Sequence, residues 1–331
     1  MERFALAAAV VLGFALTAAL CSLFVPLRRV LERREQQQQP VQSEQPRPAP
    51  LRAPLWGGLC AAAGTVAAVG VGWLAACVGQ PELLGSEGRL MTRLLTALAG
   101  SLAFGAVGLA EDLARMRSPA ALGLRRDLRL LLEALAAAFV LLLLRAAGCL
   151  PRGLGVPGAG YVLLGSAVPF LWAVLMVALA ECARIAERDE GAVCGAAFVA
   201  MLALMMVEAG LGVSGLAVLP GALAGALVAL GLWAFPPARL GVGCCGSLLA
   251  AGAVGCIPLS LDMTSLTVPL ALPFWAAGGL LAAQLLCAKR TGKPLRCWVK
   301  KHKMSPETVF LCSFALSAVG YVLALALLRW C

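Results

Sequence analysis

Apolar runs of about 20 residues recur along almost the whole chain, and they constrain its fold more than any other feature. A helix needs about 20 apolar residues to cross the ~30 Å hydrocarbon core of a bilayer, and within lipid every backbone polar group must find a partner inside the protein. Ten such runs are present, near residues 4–25, 55–78, 94–110, 128–148, 159–180, 191–208, 211–234, 245–260, 264–288 and 307–329. Only 13% of the 331 residues are charged, against about 25% in soluble domains. We therefore predict an all-α integral membrane protein, a single polytopic domain over residues 1–331 with about ten transmembrane helices.

Lysine and arginine are distributed unevenly between the loops that join these runs. All but six of the 27 lie in the loops after the first, third, fifth, seventh and ninth runs, and the six are Arg3, Arg89, Arg93, Arg145, Arg152 and Arg329. Because basic loops stay in the cytoplasm, this alternation predicts that both termini lie outside. Residues 35–50, rich in Gln and Pro, are predicted to form a flexible cytoplasmic linker.

The net charge of +10 does not indicate a nucleic-acid-binding protein, because the positive charges lie in short loops between apolar runs. Basic residues beside a membrane attract anionic lipid head groups, and they are also suited to hold a phosphorylated substrate. His302, the only histidine, lies among lysines, and this local context favours a solvated loop residue. Gly246 and Ser247 precede the eighth run, where a turn with free backbone N–H groups can meet a phosphate.

Carboxylates are the most informative residues, because ionisable groups at membrane depth are costly and usually functional. They gather at the predicted cytoplasmic ends of the third and fifth runs: Glu111 and Asp112, then Glu181, Glu187, Asp189 and Glu190. Such a set suits a hard divalent cation such as Mg²⁺. A solvated helix end with ion pairs to nearby arginines explains the same pattern, and the residues alone leave both interpretations open.

Several motifs in a fixed order give the chain a family resemblance. They lie in segments 52–58, 108–115, 123–133, 184–191, 236–248 and 284–293. Together they resemble the polyprenyl-phosphate phosphosugar transferases, and most closely the bacterial phospho-N-acetylmuramoyl-pentapeptide transferases. Segment 108–115 is similar to the family's Gly-Phe-x-Asp-Asp-x-x-Lys, and segment 236–248 to a motif that contains Gly-Asp-x-Gly-Ser. Members of this family have ten helices with both ends outside, which agrees with the runs and their charges.

The resemblance implies a glycosyl-1-phosphate transferase of the bacterial inner membrane that acts in peptidoglycan or other cell-envelope synthesis. It would transfer phospho-N-acetylmuramoyl-pentapeptide, or a related phosphosugar, from a UDP-sugar to undecaprenyl phosphate at the cytoplasmic face, and it would work with Mg²⁺ and pair into homodimers. When the family motifs are matched to this sequence position by position, Glu111 and Asp112 correspond to the catalytic pair. Asp112, Glu187 and Glu190 correspond to the metal ligands. The substrate-binding residues carried over are Arg115, Arg129, Arg184, Gly246, Ser247, Lys293 and His302.

This sequence departs from the family pattern at residues to which the family pattern assigns the chemistry. Glu111 stands where the family has the first Asp of the pair, Cys244 where it has the third Asp, and Arg184 where it has an Asn. A thiol is a soft ligand, poorly suited to Mg²⁺. A catalytically inactive relative that binds lipid phosphate or an envelope-synthesis partner therefore remains the alternative hypothesis. A transporter has little support, because no matching pair of interrupted helices is found in the two halves.

Overall fold

The chain folds into long helices that pack along one another. The computed structural model describes residues 2–38, 56–79, 88–117, 123–151, 153–156, 160–163, 165, 167–187, 192–213, 215–235, 239–291 and 306–330. The helices are α1 Glu2–Gln38, α2 Gly57–Gly79, α3 Gly88–Arg117, α4 Arg126–Ala146, α5 Ala167–Ala186, α6 Ala192–Gly210, α7 Val218–Ala234, α8 Gly243–Ser260, α9 Thr267–Leu270, α10 Leu272–Thr291 and α11 Pro306–Trp330. A 3₁₀ turn, Thr264–Leu266, precedes α9, and two strands, β1 Gly153–Val156 and β2 Gly160–Leu163, lie between α4 and α5.

Seven of the described helices are long and apolar enough to cross a membrane, namely α1, α2, α3, α5, α6, α8 and α11. Helix α7, Val218–Ala234, is as apolar but shorter. Each of the ten apolar runs contains at least one helix, so the prediction of a helical membrane protein is confirmed. The number of spans and the orientation of the chain stay predictions.

The predicted fifth span, 159–180, was wrong in its first part. Residues 160–163 form β2, which pairs antiparallel with β1 so that Gly153 faces Leu163 and Val156 faces Gly160. Tyr161 and Val162 favour an extended backbone. Gly165 then adopts a φ of +58°, which an L side chain disfavours, and α5 begins only after it. The small hairpin is the one departure from an all-helical fold in the described residues.

Prolines explain a second difference, in the predicted ninth span, 264–288. There the chain forms the 3₁₀ turn, α9 and α10 in succession, with Pro269 in α9 and Pro273 at the second position of α10. Proline has no backbone N–H and is tolerated mainly in the first turn of a helix. A single continuous helix is therefore broken into short pieces before α10.

In the first loop, α1 continues through Gln38, and residues 39–50 of the predicted linker lie outside the described residues.

Helix α8 forms the centre of the bundle. All 18 of its residues are buried, and it packs against α2, α3, α5 and α6. Small residues permit this close packing: Gly252 lies against Ser101 and Phe104, and Gly255 against Met176. The Gly255 carbonyl also accepts a hydrogen bond from the Trp172 indole at 3.3 Å. The central position of α8 brings its first turn to the ends of α3 and α5, where the predicted site residues lie.

Candidate functional site

The carboxylate of Asp112, near the end of α3, holds the first turn of α8. Its Oδ1 accepts a hydrogen bond from the Cys244 backbone N–H at 3.0 Å, and its Oδ2 accepts one from Cys245 at 2.9 Å. The first N–H groups of a helix have no partner within the helix, and a negative charge at this end is favourable. Asp112 is fully buried. It therefore acts as a capping group supplied to α8 by a neighbouring helix.

Two glycines allow the backbones to meet at this point. A Cβ on Gly108 of α3 would overlap the Cys244 carbonyl, and a Cβ on Gly58 of α2 would overlap the backbone nitrogen of Gly246. Gly243, which begins α8, adopts a φ of +70°, a conformation suited to glycine. Glycine is thus required on all three helices for the first turn of α8 to reach Asp112.

Glu187 and Cys244 complete a compact group with Asp112. One ligand atom from each residue lies within 4.8 Å of the others, and the Cys244 thiol donates a hydrogen bond to Glu187 Oε2 at 2.9 Å. Of the predicted metal ligands, the structure therefore brings Asp112 and Glu187 together. Glu190 lies outside the described residues.

Arg115, one turn after Glu111 on α3, places its guanidinium among three carboxylates. Its Nη2 lies 2.8 Å from Glu111 Oε1, and its Nη1 lies 3.4 Å from Glu187 Oε1 and 3.9 Å from Asp112 Oδ1. Gly123, with a φ of +68°, packs against the stem of this arginine. One guanidinium thus neutralises part of the charge of all three carboxylates.

A second set of ion pairs extends the network to α4 and α5. The Arg129 guanidinium lies 3.7 Å from Glu111 Oε1 through Nη1 and 2.7 Å from Glu181 Oε1 through Nε. Arg184 Nη2 lies 2.7 Å from the other oxygen of Glu181. Arg115, Arg129 and Arg184, predicted separately, therefore belong to one continuous network. Glu181, which joins two of them, was named in the predicted carboxylate cluster but was given no catalytic, metal-binding or substrate-binding role.

Several buried polar atoms of this network lack a hydrogen-bond partner among the described residues. They are both carboxylate oxygens of Glu133, Oε2 of Glu111 and Nε of Arg184. Glu133 is fully buried, and its charged neighbours are Glu111, Arg129, Glu181 and Arg184. Buried polar groups are almost always paired with protein or water. These atoms therefore have hydrogen-bonding capacity for water or a ligand. The sequence signal for Glu133 was its position one turn after Arg129.

The remaining predicted substrate-binding residues lie in two places. Ser247 is buried and donates a hydrogen bond to the Cys244 carbonyl at 3.1 Å, and Gly246 lies against Gly58. Both are packed into the first turn of α8, and their contact with a phosphate stays a prediction. Lys293 and His302 lie outside the described residues.

The donor set does not suit Mg²⁺. This ion requires hard oxygen ligands in near-ideal octahedral geometry at roughly 2.0–2.1 Å, whereas one of the three donors here is a thiol. Both oxygens of Asp112 and of Glu187 already accept hydrogen bonds. A divalent cation about 4 Å from the Arg115 guanidinium would also be repelled by about 8 kcal/mol at an effective dielectric constant of 20. The network does carry five carboxylates against three guanidiniums, so its surplus negative charge alone would favour a cation.

Comparison with known families identifies the fold that carries this network. The family model described as glycosyl transferase family 4 matches residues 94–262, about half of the chain. The matched region runs from α3 to the end of α8 and contains every residue of the network described above. A comparison with curated proteins found no match. The predicted resemblance is thus confirmed, and the chain is a multi-pass membrane protein that belongs to glycosyl transferase family 4, the polyprenyl-phosphate phosphosugar transferases.

Proposed function

We propose that the protein transfers phospho-N-acetylmuramoyl-pentapeptide, or a related phosphosugar, from a UDP-sugar to undecaprenyl phosphate at the cytoplasmic face of the bacterial inner membrane. The observation that carries this proposal is the convergence of Arg115, Arg129 and Arg184 from three helices at one end of the bundle. Guanidinium groups recognise phosphate oxygens with two parallel hydrogen bonds. The three guanidiniums are paired with carboxylates, so a diphosphate or a lipid phosphate would bind here by displacing part of that pairing.

The reaction requires no oxidant and no net transfer of a proton. An oxygen of the lipid phosphate attacks the phosphorus that carries the sugar, and a new P–O bond forms as the P–O bond to UMP breaks. The products are a lipid diphosphate sugar and UMP. Catalysis of phosphoryl transfer depends chiefly on positioning and on charge stabilisation, which three fixed arginines can supply.

Each carboxylate has a different part in this proposal. Asp112 positions the first turn of α8, because both of its oxygens hold backbone N–H groups. Glu111 and Glu187 orient Arg115, and the free oxygen of Glu111 is available to a donor group of the substrate. We assign Lys293, His302 and Glu190 to the nucleotide and sugar portion as proposals, because the family pattern places them in the loops around this site.

A second candidate function is favoured by Cys244. Where the family has an aspartate, this chain has a thiol that donates a hydrogen bond to Glu187 Oε2. A relative that has lost catalysis would use the arginines to bind undecaprenyl phosphate, or a partner in envelope synthesis, without transferring a sugar.

UMP release separates the two candidates. Purified protein in detergent receives undecaprenyl phosphate and UDP-N-acetylmuramoyl-pentapeptide, with Mg²⁺, with Mn²⁺ and with EDTA. Arg184→Gln removes a charge of the network, and Arg145→Gln is the matched control, because Arg145 is exposed at the far end of α4. Both variants are first checked for a single elution peak.

The expected result is lipid-linked product in the unaltered protein and in Arg145→Gln, with a loss of at least tenfold in Arg184→Gln. No product from any nucleotide sugar tested, while undecaprenyl phosphate still binds, would establish the non-catalytic relative instead. The absence of both product and lipid-phosphate binding would refute the transferase and the lipid-binding form of the second candidate, and would leave a protein partner as the ligand to test.

A further inference from the structure

We propose that the Arg115 guanidinium takes the place of a divalent cation in this site, so that the Asp112–Glu187–Cys244 group binds no Mg²⁺ or Mn²⁺ and the site meets a diphosphate with arginine alone. The exclusion of metal stands on the geometry of the site. The diphosphate ligand rests on the proposed function.

The first argument is the direction of the hydrogen bonds. A metal ion would have to compete for lone pairs of these carboxylates with the donors that already contact them. Glu187 Oε1 accepts from Arg115 at 3.4 Å, and its Oε2 accepts from the Cys244 thiol at 2.9 Å. Cys244 is therefore a donor at a position where metal binding would need an acceptor.

The second argument concerns the hydrogen bonds that Asp112 already accepts. Its two oxygens hold the backbone N–H groups of Cys244 and Cys245, and it is fully buried. If it turned toward a metal, the first turn of α8 would lose its capping group. The fold itself thus opposes a rearrangement of this carboxylate into a metal site.

The third argument is the position of the positive charge. Arg115 contacts carboxylates of α3 and the Glu187 carboxylate just after α5, which is the bridging position that a cation would occupy. Arginine is always protonated, and its planar fork can engage several oxygens at once. On the same network, Arg184 Nε is buried without a hydrogen-bond partner among the described residues. Its N–H group therefore has hydrogen-bonding capacity that the described residues do not use.

Mn²⁺ binding tests this inference without any substrate. The full-length protein in detergent is titrated with Mn²⁺, and bound ion is measured by electron paramagnetic resonance and by equilibrium dialysis. The variants are Glu187→Gln, Cys244→Asp, and Cys244→Asp combined with Arg115→Gln. The combined variant replaces the thiol with a hard ligand and removes the competing guanidinium.

The unaltered protein is expected to bind no more Mn²⁺ than Glu187→Gln, and the combined variant about one ion per chain. Cys244→Asp alone is expected to fall between them, and it serves as the readout should the combined variant fail to fold. One Mn²⁺ per unaltered chain, lost in Glu187→Gln, would overturn the inference. So would the absence of binding in every folded variant, because Arg115 and Cys244 would then not be what excludes the ion.

The outcome is independent of the proposed transferase activity. If the protein forms no lipid-linked product, the Mn²⁺ measurement still decides the inference. If it binds Mn²⁺, the inference fails while transfer of a phosphosugar remains open. Where product is formed, we expect its rate to change less than twofold when EDTA replaces Mg²⁺.

Discussion

Replacement of Asp112 by asparagine should destabilise the protein as well as impair its function. The Asp112 carboxylate presents two equivalent oxygens to two backbone N–H groups of α8, at 3.0 and 2.9 Å. An asparagine of the same shape keeps one oxygen and places an NH₂ group opposite the second N–H. One hydrogen bond is therefore lost, and a buried donor is left facing another donor.

The magnitude follows from these two losses. A hydrogen bond to a charged group contributes about 1.5–3 kcal/mol, and an unsatisfied buried donor costs about 1–3 kcal/mol. Because the two overlap, we expect a loss of about 2–4 kcal/mol in the free energy of unfolding. At about 2–4 °C per kcal/mol, the value for domains of 150–250 residues, this corresponds to a fall of about 4–16 °C in the half-unfolding temperature.

Thermal unfolding in detergent, followed by size-exclusion chromatography with fluorescence detection, measures this shift. Asp127→Asn is the matched control, because Asp127 is exposed in the first turn of α4 and undergoes the same chemical change. A smaller shift is expected there. If the two variants unfolded at the same temperature, the capping role assigned to Asp112 would be refuted, and its loss of activity would then have to be explained by chemistry alone.

Two further predictions concern packing and orientation. Gly58→Ala should lower the half-unfolding temperature, since the new Cβ would overlap the backbone nitrogen of Gly246 and overpacking costs about 1–3 kcal/mol. Gly70→Ala on the same helix should leave the half-unfolding temperature unchanged, because nothing lies within 4 Å of the new Cβ. Equal effects of the two changes would contradict the close contact of α2 and α8. The basic loops predict an outer C-terminus, so alkaline phosphatase fused after Cys331 should be active and green fluorescent protein fused there should be dark; the reverse pattern would invert the orientation.

The sequence predicted the helices well because the constraint that produces them is local. A run of about 20 apolar residues can satisfy its backbone in lipid only as a helix, and α2, α6, α8 and α11 lie close to the predicted runs. The same signal does not tell a lipid-facing helix from a buried one. Helix α8 is as apolar as α3, yet only α8 is buried along its whole length. In a membrane both lipid and protein neighbours are apolar, so composition could not reveal that α8 is the central helix.

The sequence indicated which charged residues lie near one another at this end of the bundle, but not the hydrogen bonds and ion pairs between them. The run of charges at the ends of α3 and α5 pointed to Glu111, Asp112, Arg115 and Glu187, and these residues do lie together. The partners of each group could not be inferred, because they depend on contacts between residues far apart in the chain. Cys244, 132 positions after Asp112, meets it only through the glycine contacts that bring α3 to α8.

The fold explains why some polar groups of the network are present, because other parts of the protein contact them. It does not explain others. Asp112 has a structural partner at both oxygens, so an aspartate at this position would be needed for packing even in a protein without catalytic activity. Glu133 and the Nε of Arg184 have no such reason, because they are buried without hydrogen bonds in the described part of the chain. A buried unpaired carboxylate is costly to the folded state, and a fold maintained only for structure would gain stability by replacing it with a glutamine or an apolar residue. Glu133 and the Nε of Arg184 are therefore the groups of this network whose hydrogen-bonding capacity the described residues leave unused, and the proposed function assigns that capacity to the substrate.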